Sequence, residues 1–193
     1  MKTQDTDPDR LPPLAAESMT DAQREAAAAL AAGPRGGVRG PFIPLLRSPE
    51  LMNRLQKVGE YLRYRSSVPT KINELAILIV SRHWTQQFEW AVHHPLALQA
   101  GIRPEALEAL AEGRRPLGLA EAEAIAYDFT EELLRTHGVC DATYRRALAA
   151  FGEQGVVDLV GLIGYFTTVS MVMNVAHTPR PASDVPPLAA FPL

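Results

Sequence analysis

The stretch from Glu74 to His94, Glu-Leu-Ala-Ile-Leu-Ile-Val-Ser-Arg-His-Trp-Thr-Gln-Gln-Phe-Glu-Trp-Ala-Val-His-His, sets ionisable groups inside otherwise apolar sequence. Glu74 stands beside Leu75 and amid Ile72, Ile77 and Leu78. An ionised carboxylate there is costly unless it is paired or hydrogen-bonded. Further on, Gln86, Glu89, Trp90 and His93 follow one another at helical intervals and so share one face of a helix. Glu89 and His93, one turn apart, are within hydrogen-bonding reach of each other. A carboxylate held against an imidazole fixes the ring's tautomer and favours the imidazolium, which is the make-up of an acid–base pair. The same spacing also fits a plain surface ion pair between Glu89 and His93, with Glu74 satisfied by an arginine such as Arg82 or by a neighbouring helix. For a metal, Glu89 and His93 with His94 adjacent offer too few converging ligands, and the HExxH pattern is missing, so no metal site is expected. His83, before Trp84, and His94, before Pro95, read as helix-end caps or as lining of a pocket.

The elements that must position these groups are helical. Thr20 is placed to cap a helix over Asp21 to Ala32 that Gly33-Pro34 stops. The run GGVRGPFIPLL, with three glycines and two prolines, predicts an irregular connection. Ser48-Pro49-Glu50 puts a capping hydroxyl ahead of a first-turn proline and starts a helix running to about Arg65. Thr70 is read as the cap of the helix that carries Glu74. Further helices are expected over Gln86 to Ala100, closed by Gly101, and over Pro104–Glu112, Ala120–His137, Asp141–Phe151 and Glu153–Ala176. No alternating run is long enough to argue a strand, so the fold class is all-α.

The 193 residues, 47% of them hydrophobic, suit one well-buried core, so a single domain is expected over residues 19–177. Residues 1–18 and the proline-rich 178–193 read as extended arms. Leu188, Phe191 and Leu193 in the second arm could wrap a neighbouring subunit or belong to a disordered tail. A formal charge of −3 and the lack of any Lys/Arg run argue against a nucleic-acid partner. The apolar stretch from Val156 to Val175 is interrupted by Asp158, three Thr/Ser hydroxyls and two glycines, so a core or interface helix is expected and no membrane partner. Gly161 and Gly164 would there permit close helix approach. The amino terminus has no apolar signal region, and the one cysteine, Cys140, rules out a dithiol and fits a reducing cytoplasm.

The run from Glu74 to His93 resembles the signature of the carboxymuconolactone decarboxylase and alkylhydroperoxidase D superfamily. In that signature a glutamate on one helix is followed by Cys-x-x-Cys and a histidine on the next. Glu74 matches the glutamate and His93 the histidine, while Gln86 and Glu89 stand where the cysteines would be. The segment Gly40 to Leu51, GPFIPLLRSPEL, and the long apolar helix over 158–175 add to the likeness, which covers about residues 38–177. The resemblance implies a single-domain helical bundle of the alkylhydroperoxidase D-like type that assembles as a trimer or hexamer. The apolar 156–175 helix and the terminal arms are compatible with such assembly.

Without the cysteine pair, peroxidase chemistry is disfavoured, since it needs a peroxidatic and a resolving thiol. The resemblance to the decarboxylase branch implies a cofactor-free enzyme acting on a small lactone or carboxylic acid by Glu/His acid–base chemistry, a carbon–carbon lyase. Loss of CO₂ beside a conjugated lactone carbonyl leaves an extended enolate. The enzyme must therefore hold the carboxylate, stabilise the oxyanion and protonate carbon. In this reading His93 donates the proton, Glu74 or Glu89 orients it, and Arg82 and Arg39 are candidate carboxylate anchors. Gln86, Trp90 and His83 are read as substrate-binding, with Trp84 and Phe88 as possible walls. Two other readings stay open: a different proton transfer such as isomerisation or lactone opening, and a non-catalytic oligomeric binding protein, which would show a filled cavity behind Glu74 and His93.

Overall fold

The computed structural model describes residues 9–190, and among these no strand occurs. A short 3₁₀ turn at Ala16–Ser18 precedes α1 (Asp21–Ala31), α2 (Phe42–Leu45), α3 (Pro49–Tyr64), α4 (Thr70–His83), α5 (Gln87–Gln99), α6 (Pro104–Ala111), α7 (Glu121–Thr136) and α8 (Asp141–Ala176).

The expected start and stop signals hold unevenly. At α1 the Thr20 hydroxyl accepts from the Gln23 backbone N–H while the Gln23 side chain accepts from the Thr20 N–H, so two otherwise unpaired donors are satisfied reciprocally. Pro49 does occupy the first turn of α3, but Ser48 makes no capping hydrogen bond, because its backbone leaves the extended region (φ −128°, ψ 76°). Thr70 likewise is no cap: Pro69 takes that place and Thr70 is already helical. The two carboxy-terminal helices expected on either side of Gly152 form one 36-residue element, interrupted by Gly152 itself at φ 69°, ψ 175°. Such a conformation suits glycine. Within the glycine- and proline-rich connection, Phe42, Leu45 and Leu46 turn inward, and this burial folds α2 out of a segment expected to be irregular.

Helix α4 is the axis of the molecule. Every residue from Ile72 to Arg82 is buried, as expected of a helix that is covered on all sides. It packs against α5, α7 and α8, while α3 bridges α1 and α8. One core cluster joins α3, α4, α7 and α8 around Ile77, Phe129, Leu159 and Leu162. A second lies on the other side of α4, among Leu75, Leu78, Ile79, Trp90 and Leu107. A third seats α1 and α2 on Met52 of α3.

By length and composition α8 could cross a membrane, yet 56% of its apolar window is buried against the other helices, as in the core helix of a soluble protein. Gly161 admits Leu62, which an added Cβ would meet at 3.3 Å. Gly164 has no neighbour and brings no helix close, contrary to expectation. The described part of the carboxy-terminal arm does not leave the molecule either. It returns across the α4–α5 turn, where Leu188 is buried in the second cluster and exchanges both backbone hydrogen bonds with the Gln87 side chain (2.9 and 2.8 Å). Phe191 and Leu193 lie outside the described residues. The amino-terminal arm is held by Arg10 N–H on the Ala176 carbonyl (2.8 Å) and by Arg47 on the Leu11 carbonyl (3.1 Å).

Candidate active site

Helices α4 and α5 run past each other so that Glu74 and His93 meet across their interface. The His93 ring is 2% exposed and lies between two carboxylates, Nδ1 at 2.7 Å from Glu74 Oε2 and Nε2 at 3.3 Å from Glu89 Oε2. Carboxylates accept and do not donate, so the imidazolium, which carries an N–H at each nitrogen, satisfies both. Burial works against that charge, but the hydrogen bonds to Glu74 and Glu89, and then their charges, outweigh it and hold the His93 pKa above its ordinary value. The edge of Phe166 from α8 closes over the ring at 5.2 Å between centroids. Glu89 is therefore more than a surface partner of His93, and Glu74 pairs with the histidine rather than with Arg82.

Glu89 and His93 open on a cavity of about 310 Å³ between the α1–α2 connection, α3, α5 and α8. Its apolar lining includes Phe42, Phe88, Val92 and Phe166, and its cationic lining is Arg35, Arg39 and Arg63. Arg35 lies over the Phe42 ring at 4.6 Å and Arg63 over Tyr64 at 5.1 Å. The Nε of Arg63 is buried with no hydrogen-bond partner among the described residues. Gly40 lets Phe88 form the wall: its φ of +55° suits glycine, and a Cβ there would lie 2.5 Å from the Phe88 ring. Few polar groups converging in a partly apolar cleft are the usual make-up of a small-molecule site. The positive lining fits an anionic ligand.

Of the residues singled out in the sequence, Glu89, His93, Arg39 and Phe88 border this cavity. Glu74 lies behind His93 and borders a neighbouring surface cleft with Arg63, Tyr64 and Thr70. The other expected binding residues are elsewhere. Arg82 and His83 line a separate small cavity with Arg114 and Glu131, and Arg82 donates to the Ala189 carbonyl at 2.7 Å, so the guanidinium ties down the carboxy-terminal arm. Gln86 caps α5, accepting from the Phe88 N–H (2.6 Å) and donating to Asn174 (2.8 Å), so both ends of its amide are engaged in structure. Trp90, although it shares a broad helical face with His93, turns into the second core cluster. Among the described residues no group of three His, Cys, Asp or Glu side chains converges as metal ligands would, because Glu74 and Glu89 address opposite nitrogens of one ring.

Arg35, Arg63 and Tyr165 were not anticipated. The phenol had one signal in the sequence, being the single tyrosine in the apolar run over 156–175. Cys140 is exposed before α8 and is not among the residues lining the cavity.

Residues 49–132, which span α3 to α7 and include Glu74, Glu89 and His93, match the Carboxymuconolactone decarboxylase family. No curated protein matches in sequence. Among solved structures the chain is similar to the alkylhydroperoxidase core of an uncharacterized peroxidase-related protein from Ralstonia eutropha JMP134. The TM-score is 0.68 at 15% identity, covering 86% of this chain and 88% of that one, a likeness of fold. The matched segment, which carries the glutamate–histidine pair, and the likeness of fold both support a resemblance to the carboxymuconolactone decarboxylase and alkylhydroperoxidase D-like superfamily.

Proposed function

We propose that the chain is a cofactor-free, carboxymuconolactone decarboxylase-like enzyme that performs acid–base chemistry on a small lactone or carboxylic acid. The observation that carries this reading is the buried Glu74–His93–Glu89 array opening on a cavity lined by three arginines. In a decarboxylation, the arginines hold the substrate carboxylate. The electron pair of the breaking C–C bond moves into the conjugated carbonyl, CO₂ leaves, and His93 delivers the proton from Nε2 to the resulting carbanion. Glu74, the closer carboxylate, orients the ring through Nδ1, and Glu89 faces the substrate. The Nε2 proton is replaced from solvent through the cavity that Glu89 and His93 border.

An isomerisation would use the same array with Glu89 accepting the proton of the breaking C–H bond, and a lactone opening would have Glu89 take the proton of an attacking water while His93 protonates the leaving oxygen. A binding protein whose polar cluster serves packing alone would have a filled cavity at this position, so the open volume favours an enzyme. A thiol peroxidase reading has less support, because the single cysteine is outside the cavity. By the same resemblance the chain is proposed to act in the cytoplasm as a trimer or hexamer, which light scattering measures directly.

The test is turnover of carboxymuconolactone and related lactone acids, followed by ultraviolet loss and CO₂ release. Wild type is expected to turn over at least one of them, and His93→Gln to lose roughly 10²- to 10⁴-fold in kcat, the usual contribution of a positioned acid. Full activity in His93→Gln would overturn the assignment of the acid.

A further inference from the structure

We propose that Tyr165 is a further catalytic group of this site, an oxyanion donor whose neutral phenol hydrogen-bonds the substrate oxygen on which negative charge collects. The proposal rests on the proton-transfer reading above and deepens it.

Four observations carry it. First, Tyr165 is buried on α8 yet borders the cavity together with Glu89 and His93. Phe166 is packed edge-on against both the Tyr165 and the His93 rings, at 5.2 Å from each. Second, the phenol oxygen is used as an acceptor: Arg35 Nη2 donates to it at 3.5 Å. Its own O–H has no hydrogen-bond acceptor among the described residues. A buried donor without a protein acceptor beside an open cavity is satisfied by whatever occupies that cavity, water or ligand. Third, burial, with Glu89 adding to it and Arg35 and Arg63 opposing, pushes the Tyr165 pKa up to about 12. The group therefore keeps its proton at neutral pH and serves as a donor, not as a base. Fourth, α3 is notched to receive it. A Cβ on Gly59 would lie 2.4 Å from both Cζ and the hydroxyl of Tyr165 and 2.7 Å from Arg35 Nη2. Glycine inside a helix is otherwise unfavourable. Its presence at this position allows the phenol and the guanidinium to sit against the helix backbone.

The chemistry balances without any further reactant. As the substrate C–C bond breaks with loss of CO₂, or a C–H bond breaks with its proton passing to Glu89, the electron pair passes through the conjugated system to the carbonyl oxygen, which becomes an enolate. The phenol shortens its hydrogen bond to that oxygen and retains its proton. When His93 protonates carbon, the pair returns and the carbonyl is restored. Arg35, by donating to the phenol oxygen, acts as a positioning residue that also polarises the O–H. Arg63, with its buried and unpartnered Nε, remains available to the anion itself.

The proposal is tested with para-nitrophenolate, a stable planar oxyanion whose binding is read by its absorbance, at a pH above the probe's own pKa. Wild type is expected to bind it, and Tyr165→Phe at least tenfold more weakly with little dependence on salt. Arg63→Met should weaken binding in a way that fades as salt is raised. Gly59→Ala, which leaves the phenol in the chain but displaces it, should reproduce the Tyr165→Phe loss. Circular dichroism establishes that each variant is folded. With a substrate in hand, Tyr165→Phe should lower kcat by roughly 10²- to 10³-fold with KM little changed, the usual effect of losing one oxyanion donor. Equal affinity of folded wild type and Tyr165→Phe for the phenolate, or no binding by wild type, would overturn the proposal. Tyr165-dependent binding without turnover of any lactone acid would support the oxyanion site while counting against the decarboxylase reading alone.

Discussion

Burial alone would keep the His93 ring neutral, whereas the hydrogen bonds and charges of Glu74 and Glu89 hold its pKa above the ordinary value. A group that binds its proton more tightly in the folded chain stabilises the fold while the pH is below its unfolded pKa of about 6.5, and that stabilisation disappears as the pH rises through the folded value. Wild type should therefore lose stability relative to His93→Gln above about pH 6.5, with a slope of at most ~1.4 kcal/mol per pH unit. Urea unfolding of both proteins between pH 6 and 9 measures this, and parallel pH profiles would show that His93 is not held as an imidazolium. The Glu89–His93 pair was legible in the sequence because both residues lie on one helix, where spacing alone sets distance. Glu74 was legible as a carboxylate in need of a partner. That its partner is His93 depends on how α4 crosses α5. Arg35, Arg63 and Tyr165 carried no comparable signal: Arg35 and Tyr165 are 130 residues apart, and an arginine in a loop reads as solvated until a cavity forms beside it.

Among the elements, α8 is held to the α3–α4 connection by one buried carboxylate. Asp158 accepts from the Tyr61 hydroxyl (3.0 Å) and from both the backbone N–H and the hydroxyl of Ser67 (2.9 Å each). Burial raises its pKa, but the hydrogen bonds from Ser67 and Tyr61 prevail and leave it below the ordinary carboxylate value. Its contribution is thus complete above an unfolded pKa of about 3.9 and is lost as the pH falls through the folded value. Asp158→Ala should cost about 1–3 kcal/mol at neutral pH, since it leaves the Ser67 donors unpaired, and should flatten the acid limb of the stability profile. Denaturant titrations at pH 7 and at acid pH measure both effects. The helical punctuation of the sequence located the break at Gly152 and the reciprocal cap of α1, because each depends on neighbours within a few residues. It placed the start of α3 at Pro49 but not the absence of a Ser48 cap bond, and it set the start of α4 one residue late, because the approach of the chain, and not the side chain at the cap position, sets the backbone there.

Across the whole molecule, the described part of the carboxy-terminal arm belongs to the core through Leu188. Leu188 fills a place among the side chains of α4, α5, α6 and α7, with its own backbone held by Gln87 and the carbonyl of the next residue, Ala189, held by Arg82. Leu188→Ala should destabilise the fold by about 2–4 kcal/mol, the range for truncating a buried leucine, with a matching loss in thermal unfolding temperature. If the arm instead belonged to a neighbouring subunit, the loss would depend on protein concentration, and unfolding at two concentrations separates these cases.

By itself the sequence determined an all-helical chain, the places where its helices break, and the pairing of Glu89 with His93, for all of these follow from contacts within a turn or two of one helix. The tertiary structure decided which of many arginines reach the cavity, that Trp90 and Gln86 serve the core and the cap, and that Leu188 folds inward. Those outcomes depend on the crossing of helices distant in sequence, and residue type and local spacing leave that crossing open.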